Sequence, residues 1–464
     1  MKRILISINY KSLLIFITCL FLLLQLTACR SDPKTEESIT SETGAEDNEI
    51  TTITLAAFWL DRQTKEAIIN FNRTNNNYHI QVKDYSEYDT DDDHTIGLKL
   101  LSTEIIAGNI PDILDITGLP VEQYIVMGLL EDLYPFIDND PIINRDDFLD
   151  NVFNKAEIKN GLYYLFPFFN VNILIGNPSV IGSEPGWNFE EFLAVLEKNP
   201  EADIPFGTFM TNELFLRMII VNADNYINQD TGTVNFDNED FIKLLETANT
   251  FPSEPNIPND VIFSGDYDFN GDMLSGRQIF MPYSVGGNFD LIQTYRELFG
   301  GDIVYKGYPD VNRTGNYIIP YPTFAITSGS ENKEAAWSFI SSMLSEEWQH
   351  NEMHQETNHF PTNKVLFERM IEDAMKRPEN TTVLNTGFVD INVKYTPLSE
   401  SERDQILGLI NSATILLFSA YTYTSIMNII TETAAGYFSG QITAENAARI
   451  IQSRASNLAS EQFG

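Results

Sequence analysis

An early part of the chain alternates short apolar segments with amphipathic ones, and this alternation limits the fold more than any other feature. The segment 53–59 (ITLAAFW) is typical of a buried central strand, and 79–82 and 110–116 predict two further strands. Between these strands, residues 64–72 and 95–107 place apolar side chains at helical spacing. Strand, helix, strand, helix, strand in this order predicts an α/β fold built on a parallel sheet.

The N-terminal residues have the layout of an export signal. Three basic residues precede an apolar run at 13–24, which is shorter than the roughly 20 apolar residues of a membrane-spanning helix. The run leads to 26–29 (LTAC), where a small residue stands directly before a cysteine, as in a lipoprotein processing site. We predict a lipoprotein signal peptide at 1–28 and a lipid anchor on Cys29. The alternative is an ordinary signal with a chance cysteine near its end.

Composition limits the body of the protein further. Residues 29–50 are rich in acidic and small polar residues, which predicts a disordered acidic tether. Only Cys19 and Cys29 are present, so a chain cut before Cys29 and lipidated there has no disulfide. The net charge of −37 disfavours binding to nucleic acid and to anionic lipid. The length after the tether predicts two or three lobes.

Local signals predict one helix in detail. Asn188 can cap a helix at 189–196, and Glu191 stands three residues later, as in a capping box. Trp187 and Phe192 have the spacing of a hydrophobic staple across the same helix start.

A series of short motifs in a fixed order runs from about residue 51 to 460. They are GNIPDI at 108–113, GLLEDLYPFI at 128–137, GLYYLFP at 161–167, PGW at 185–187, MLSGRQIFM at 273–281, KEAAW at 333–337, HFPTNK at 359–364 and SGQITAENAA at 439–448. The series resembles the extracellular solute-binding proteins of ABC importers, in the sugar-binding, maltose-binding-protein-like branch. The chain departs from the family pattern at 169–173, where a tyrosine usually follows the third motif, and at Gly186, where a threonine is usual.

The resemblance implies a two-lobed periplasmic-binding-protein-like α/β fold of type II. Each lobe would be a mostly parallel sheet flanked by helices, and several hinge crossovers would join the lobes. We assign 51–165 plus 316–370 to lobe 1, and 166–315 plus 371–464 to lobe 2. The ligand would lie in the cleft between the lobes, where loops at the carboxyl ends of parallel strands meet.

The resemblance also implies a function. The protein would be anchored by lipid to the outer face of the cytoplasmic membrane, capture a mono- or oligosaccharide, and deliver it to ABC permease subunits. We expect a monomer without a cofactor and without a nucleic-acid partner. The alternatives are an exported carbohydrate-active enzyme, a surface ligand sensor that works with a membrane partner, and a binding protein for a non-sugar solute.

Sugars present apolar C–H faces and a rim of hydroxyls, so their sites combine flat aromatic rings with carboxylates and amides. Such side chains occur just past predicted strand ends and crossovers, and the resemblance places Tyr421 and Tyr423 near the family's late aromatic contact. The candidate ligand contacts are Phe58, Trp59, Asp61, Asp115, Thr117, Phe168, Asn170, Tyr283, Ser284, Tyr317, Tyr421 and Tyr423. Further candidates beside them are Gly286, Gly287, Asn288, Tyr321 and Thr323. For Trp59 the alternative is core packing, and for Asp115 it is a turn or helix cap.

Catalytic motifs are absent from the sequence. It contains no Gly-x-Ser-x-Gly elbow and no phosphate-binding loop, although paired carboxylates of a glycosidase remain open among 66 acidic residues. His350 and His354 share one helix face at the spacing of a metal pair, and His359 follows. Asn351 breaks the H-E-x-x-H pattern, so we predict solvated histidines and no metal site.

A second segment has part of a metal-binding pattern. Residues 266–272 match the first half of a calcium loop, but its twelfth position is Arg277 where the loop needs a bidentate glutamate. The pattern therefore favours a turn before a helix.

Overall fold

The fold was obtained as a computed structural model. It describes residues 50–90, 96–207, 211–228, 231–253, 261, 267–353, 358–385, 390–415 and 421–463. The predicted signal peptide, Cys29 and the predicted tether up to residue 49 lie outside these ranges. None of the described helices combines the length and the apolar composition that a membrane crossing requires.

The described residues form strands and helices in alternation. The strands are β1 Thr51–Ala57, β2 Tyr78–Asp84, β3 Ile113–Asp115, β4 Phe168–Gly176, β5 Met281–Val285, β6 Val304–Tyr305, β7 Tyr317–Tyr321, β8 Phe324–Ile326, β9 Phe360–Pro361, β10 Asn380–Asn385, β11 Asp390–Tyr395 and β12 Thr414–Ile415. The helices are α1 Arg62–Thr74, α2 Ile96–Ile106, α3 Val121–Val126, α4 Tyr134–Asn139, α5 Asp150–Lys155, α6 Pro178–Ile181, α7 Phe189–Lys198, α8 Thr211–Val221, α9 Ala223–Tyr226, α10 Glu239–Ala248, α11 Phe269–Leu274, α12 Asp290–Leu298, α13 Lys333–Leu344, α14 Glu346–Met353, α15 Lys364–Lys376, α16 Glu400–Ser412, α17 Tyr421–Phe438 and α18 Ala444–Phe463. Two 3-10 turns add Tyr85–Tyr88 and Arg145–Asp147.

The first sheet has the strand order β2-β1-β3-β8. Strand β1 pairs in parallel with both β2 and β3, as the alternating pattern predicts, and β8 joins β3 antiparallel. The predicted strands and helices of this region are therefore confirmed, with ends that differ by a few residues.

The second sheet is organised around the long strand β4. Strands β5, β6, β7 and β9 all pair with β4 antiparallel, whereas β12 pairs with β7 in parallel. The prediction of a mostly parallel sheet is thus wrong for this sheet, which is mixed. Strands β5, β7 and β9 come from later parts of the chain and run in the opposite direction to β4, which gives antiparallel pairs.

Sheet membership divides the chain differently from the predicted lobe ranges at two places. Strands β7 and β9 fall within the range assigned to lobe 1, yet both pair with β4 in the second sheet, whereas β8 belongs to the first. The chain between β7 and β8 therefore passes from one sheet to the other within two residues.

Strand β4 also separates two hydrophobic cores. Val171 and Ile173 point into the core shared with the first sheet, and Leu174 points into a second core formed with α7, α8, α10 and α18. This division follows from the two-residue period of a strand.

The predicted start of helix α7 is confirmed. The Asn188 side chain accepts the Glu191 N–H at 3.0 Å, and the Glu191 carboxylate accepts the Asn188 N–H at 3.1 Å. The rings of Trp187 and Phe192 meet edge to face, with centroids 5.1 Å apart.

Candidate functional site

A cavity of about 370 Å³ lies where the first turn of α1 meets the ends of β4 and β5. Helix α1 follows the first strand of the first sheet, whereas β4 and β5 belong to the second, so both sheets contribute to the walls. The lining residues are Gln63, Asn170, Tyr283, Ser284, Gly286, Asn288, Leu291, Asn358 and His359. The structure thus brings together three of the predicted ligand contacts, Asn170, Tyr283 and Ser284, and two of the further candidates, Gly286 and Asn288.

Asn170 lies within hydrogen-bonding distance of two other lining residues. Its amide lies 3.1 Å from the Ser284 hydroxyl and 3.0 Å from Nδ1 of His359. The register of the sheet explains the first contact, because Asn172 of β4 stands opposite Ser284 of β5 and Asn170 is its neighbour on the same face. Three polar side chains therefore present a fixed set of donors and acceptors to the cavity.

His359 lies beside two aromatic rings. Its imidazole stacks on Tyr321 with centroids 5.2 Å apart and lies 6.4 Å from the ring of Phe168. Burial lowers the pKa of His359, although the nearby Asp61 carboxylate opposes the shift. The imidazole is therefore neutral at neutral pH.

Asp61 connects this cluster to the first sheet. Its carboxylate accepts the Thr64 N–H at 2.8 Å and the Thr64 hydroxyl at 2.5 Å, which caps helix α1. Burial together with the nearby Asp61 carboxylate raises the pKa of Tyr321. The predicted ligand acceptor Asp61 is thus a buried helix cap, and each of its two carboxylate oxygens accepts a hydrogen bond from Thr64.

Gly286 allows the chain to approach itself closely beside the cavity. A Cβ at this position would lie 1.8 Å from the backbone oxygen of Asn358 and 2.6 Å from Oδ1 of Asn170. Any side chain larger than hydrogen would therefore displace the wall that holds His359.

Other predicted contacts lie outside the cavity. Trp59 follows β1 with 59% of its surface exposed, so the alternative of core packing does not apply to it, and Phe58 beside it is half-buried. Phe168 is fully buried, with its ring centroid 5.7 Å from that of Trp348 and 6.4 Å from that of His359.

Tyr317 is also buried, within the second core, because β7 pairs with the centre of β4. Its hydroxyl receives hydrogen bonds from Arg217 at 3.1 Å and Asn172 at 3.3 Å, so it does not line the cavity. Tyr421 and Tyr423 begin helix α17, and their side chains lie outside the described part of the structure.

Asp115 occupies a turn at the end of β3. Its carboxylate accepts the Thr117 N–H at 2.9 Å and the Thr117 hydroxyl at 2.6 Å, while Thr117 is exposed and lies 3.3 Å from the hydroxyl of Thr323. The alternative of a turn therefore describes Asp115. Burial raises the pKa of Asp115 from 3.8 to about 6, against the lowering effect of the Thr117 hydrogen bonds.

This shift predicts a pH-dependent gain in stability for Asp115→Asn. The folded state binds a proton that the unfolded state has released between about pH 4 and pH 6, so the ionised carboxylate costs stability above pH 6. A shift of about two pKa units corresponds to about 3 kcal/mol, and an amide can keep the Thr117 contacts. We expect urea unfolding to show Asp115→Asn more stable than wild type by up to about 3 kcal/mol at pH 7.5 and by almost nothing at pH 4.

Exposed Asp237 provides the control, because Asp237→Asn should change stability little at either pH. A loss of stability in Asp115→Asn at pH 7.5 would contradict the prediction.

The structure describes part of each of the two segments that have a partial metal-binding pattern. Asp268 caps α11 by accepting the Gly271 N–H at 2.9 Å, and Arg277 pairs with Asp272 at 2.9 Å, which confirms a turn before a helix. Asp266 and His354 lie outside the described residues. Within the described ranges, no three His, Cys, Asp or Glu side chains are placed to hold a metal ion.

Four lining residues were not among the predicted contacts: Gln63, Leu291, Asn358 and His359. Two signals could have found them. Gln63 stands in the first turn of a helix that follows the first strand, and His359 opens the HFPTNK motif directly before β9.

A family model described as bacterial extracellular solute-binding protein matches residues 66–382. A comparison with curated protein sequences finds no match.

Solved structures of similar fold cover most of the chain. The sugar-binding protein MalE of Xanthomonas citri is 13% identical with a TM-score of 0.60, over 89% of this chain and 98% of that one. An ABC substrate-binding protein of Listeria monocytogenes in complex with cycloalternan is 14% identical with a TM-score of 0.56, over 89% and 99%. A solute-binding protein of Thermotoga lettingae bound with α-D-tagatose is 16% identical with a TM-score of 0.55, over 88% and 99%. At this identity the likenesses show the fold, which is the two-lobed α/β fold of these proteins.

Proposed function

The chain belongs to the family of bacterial extracellular solute-binding proteins, and we propose that it captures a carbohydrate in the cavity between α1 and the ends of β4 and β5. It would then deliver the carbohydrate to ABC permease subunits. Similar structures carry cycloalternan and α-D-tagatose, which supports a sugar as the solute.

The observation that carries the proposal is the chemistry of the cavity wall. Asn170 and Ser284 offer an amide and a hydroxyl that already share one hydrogen bond. Tyr283 also borders the cavity, but its side chain is only 7% exposed and belongs to the core shared with the first sheet. Sugar hydroxyls donate and accept hydrogen bonds at once, and such mixed groups satisfy them. Tyr283 packs edge to face on Tyr295, so its ring is held in position.

The position of the cavity supports hinge closure as the mechanism. Gln63 reaches the cavity from the helix after β1, while Asn170 and Ser284 come from the second sheet. A solute that contacts both sides binds the closed arrangement more tightly than the open one, and only such a difference in affinity shifts the population toward closure.

Isothermal titration of the purified mature chain with a panel of mono- and oligosaccharides tests the function. We expect saturable binding of at least one sugar with one site per chain, and the sugar should be recovered unchanged by chromatography. Absence of binding across the panel would contradict a carbohydrate receptor, and conversion of the sugar would instead indicate an enzyme.

The proposed attachment to the membrane gives a separate prediction. Cys29→Ser removes the sulfur that would carry the diacylglycerol, so incorporation of labelled palmitate should be abolished. Labelling of cells followed by immunoprecipitation of the protein measures this. Cys19→Ser is the matched control, because Cys19 lies within the predicted signal and its loss should leave the label unchanged. Label retained in Cys29→Ser would exclude this cysteine as the anchor.

A further inference from the structure

The cavity wall is built from uncharged hydrogen-bonding groups. Among its described lining residues, none is an aspartate, glutamate, lysine or arginine. The polar side chains among the lining residues are the amides of Gln63, Asn170, Asn288 and Asn358, the hydroxyl of Ser284 and the imidazole of His359, while Tyr283 is buried. Its volume of about 370 Å³ is near the lower end of the range of about 300–1,000 Å³ for ligand pockets.

The described charged residues next to these positions in the chain have partners of their own. Arg62, beside Gln63, pairs with Glu66 at 3.2 Å on the exposed face of α1. Asp290, beside Leu291, pairs with Arg377. Neither charge is therefore held ready for a ligand of opposite sign.

The Asp61 carboxylate near the imidazole is also engaged. Asp61 caps α1 by accepting the Thr64 N–H and hydroxyl, and burial keeps His359 neutral at neutral pH. A charged solute would lose its hydration on entering this wall without gaining an opposite charge, which is unfavourable. A neutral solute would lose only hydrogen bonds that the wall can replace.

Gln63 supplies a second, independent observation. Its side-chain oxygen Oε1 is buried and has no hydrogen-bond partner, although the residue lines the cavity. A buried acceptor without a donor is unfavourable, and a solute hydroxyl is the group that would satisfy it.

We infer that the site selects a small uncharged polyhydroxyl solute over its anionic and cationic analogues, and that Gln63 accepts a hydroxyl hydrogen bond from the solute. The inference rests on the proposed function and adds to it the charge class of the solute and a specificity-determining residue on the α1 side of the cavity.

Titration of the mature chain at pH 7.5 with matched sugars tests the charge class. Each neutral sugar is compared with its uronic acid and its amino sugar, and we expect the charged analogues to bind at least about 30-fold more weakly than the neutral parent. A charged analogue that binds as tightly as its parent would overturn the inference and leave the proposed function intact. Absence of binding by every compound would overturn both.

Gln63→Met tests the residue. Methionine keeps the length of the side chain and favours a helix but removes the acceptor, so affinity for the neutral sugar should fall roughly 10-fold. Gln81→Met is the matched control on exposed β2 and should bind as wild type. Circular dichroism checks that both variants are folded. Wild-type affinity in Gln63→Met would overturn the role of Gln63.

Discussion

Trp187→Ala is expected to lower the free energy of unfolding by about 3–5 kcal/mol, as large buried aromatic truncations do. The Trp187 side chain is 1% exposed and packs edge to face on Phe192 and Phe280, with centroids 5.1 and 5.3 Å away. Its indole N–H donates to the Gly307 oxygen at 2.8 Å, so truncation also leaves a buried carbonyl without its donor. Urea unfolding followed by circular dichroism measures the change.

Trp59→Ala makes the same substitution at an exposed position. Because 59% of Trp59 faces solvent, we expect its unfolding free energy to stay within about 0.5 kcal/mol of wild type. The difference in stability between the two variants therefore distinguishes Trp187, a core residue, from Trp59, which remains a predicted ligand contact. Equal losses of stability in the two variants would contradict the placement of Trp187 in the second core.

Gly286→Ala is expected to damage both stability and sugar binding. The added methyl group would lie 1.8 Å from the backbone oxygen of Asn358, so β5 and the segment before β9 must move apart. Overpacking of this kind costs about 1–3 kcal/mol. The same movement separates Asn170 from His359, and we expect sugar affinity to fall at least roughly 10-fold. Urea unfolding and titration calorimetry measure the two effects.

Gly408→Ala provides a control with the opposite sign. Gly408 lies inside helix α16, and nothing lies within 4 Å of the position of its added Cβ. Alanine favours a helix over glycine by about 1 kcal/mol, so this variant should be slightly more stable than wild type and bind sugar normally. A Gly286→Ala protein with wild-type stability and affinity would show that neither folding nor sugar binding requires the close approach of Gly286 to Asn358.

Features that depend on neighbouring residues were predictable from the sequence. The capping box of Asn188 and Glu191 and the contact of Trp187 with Phe192 are formed within a few residues, so the sequence pattern is sufficient. The parallel pairing of β1 with β2 and β3 was also predictable, because helices of suitable length connect these strands.

The mixed second sheet was not predictable in the same way. In this sheet, β4 pairs with strands that lie more than a hundred residues away in the chain. Neither the length nor the hydrophobicity of β7 indicates which of the two sheets it joins. Tertiary contacts decide which sheet β7 joins. For the same reason Tyr317 was expected beside the ligand and lies in a core.

The candidate site was partly predictable. Asn170, Tyr283 and Ser284 were chosen by their positions on or after strands, and these positions converge in the structure. Asp61 and Asp115 satisfied the same criterion, yet both carboxylates are bound by threonines two or three residues away. An aspartate after a strand can either stabilise a turn or bind a ligand, and the sequence pattern is the same in both cases. His359 came close to the cavity only through the pairing of β9 with β4.

Small-angle X-ray scattering of the mature chain with a saturating sugar tests most directly whether a solute is held between the two sheets. With Gln63 on one side and Asn170 and Ser284 on the other, binding should draw the sides together and reduce the radius of gyration. A scattering profile unchanged at sugar concentrations that titration shows to be saturating would contradict capture by closure.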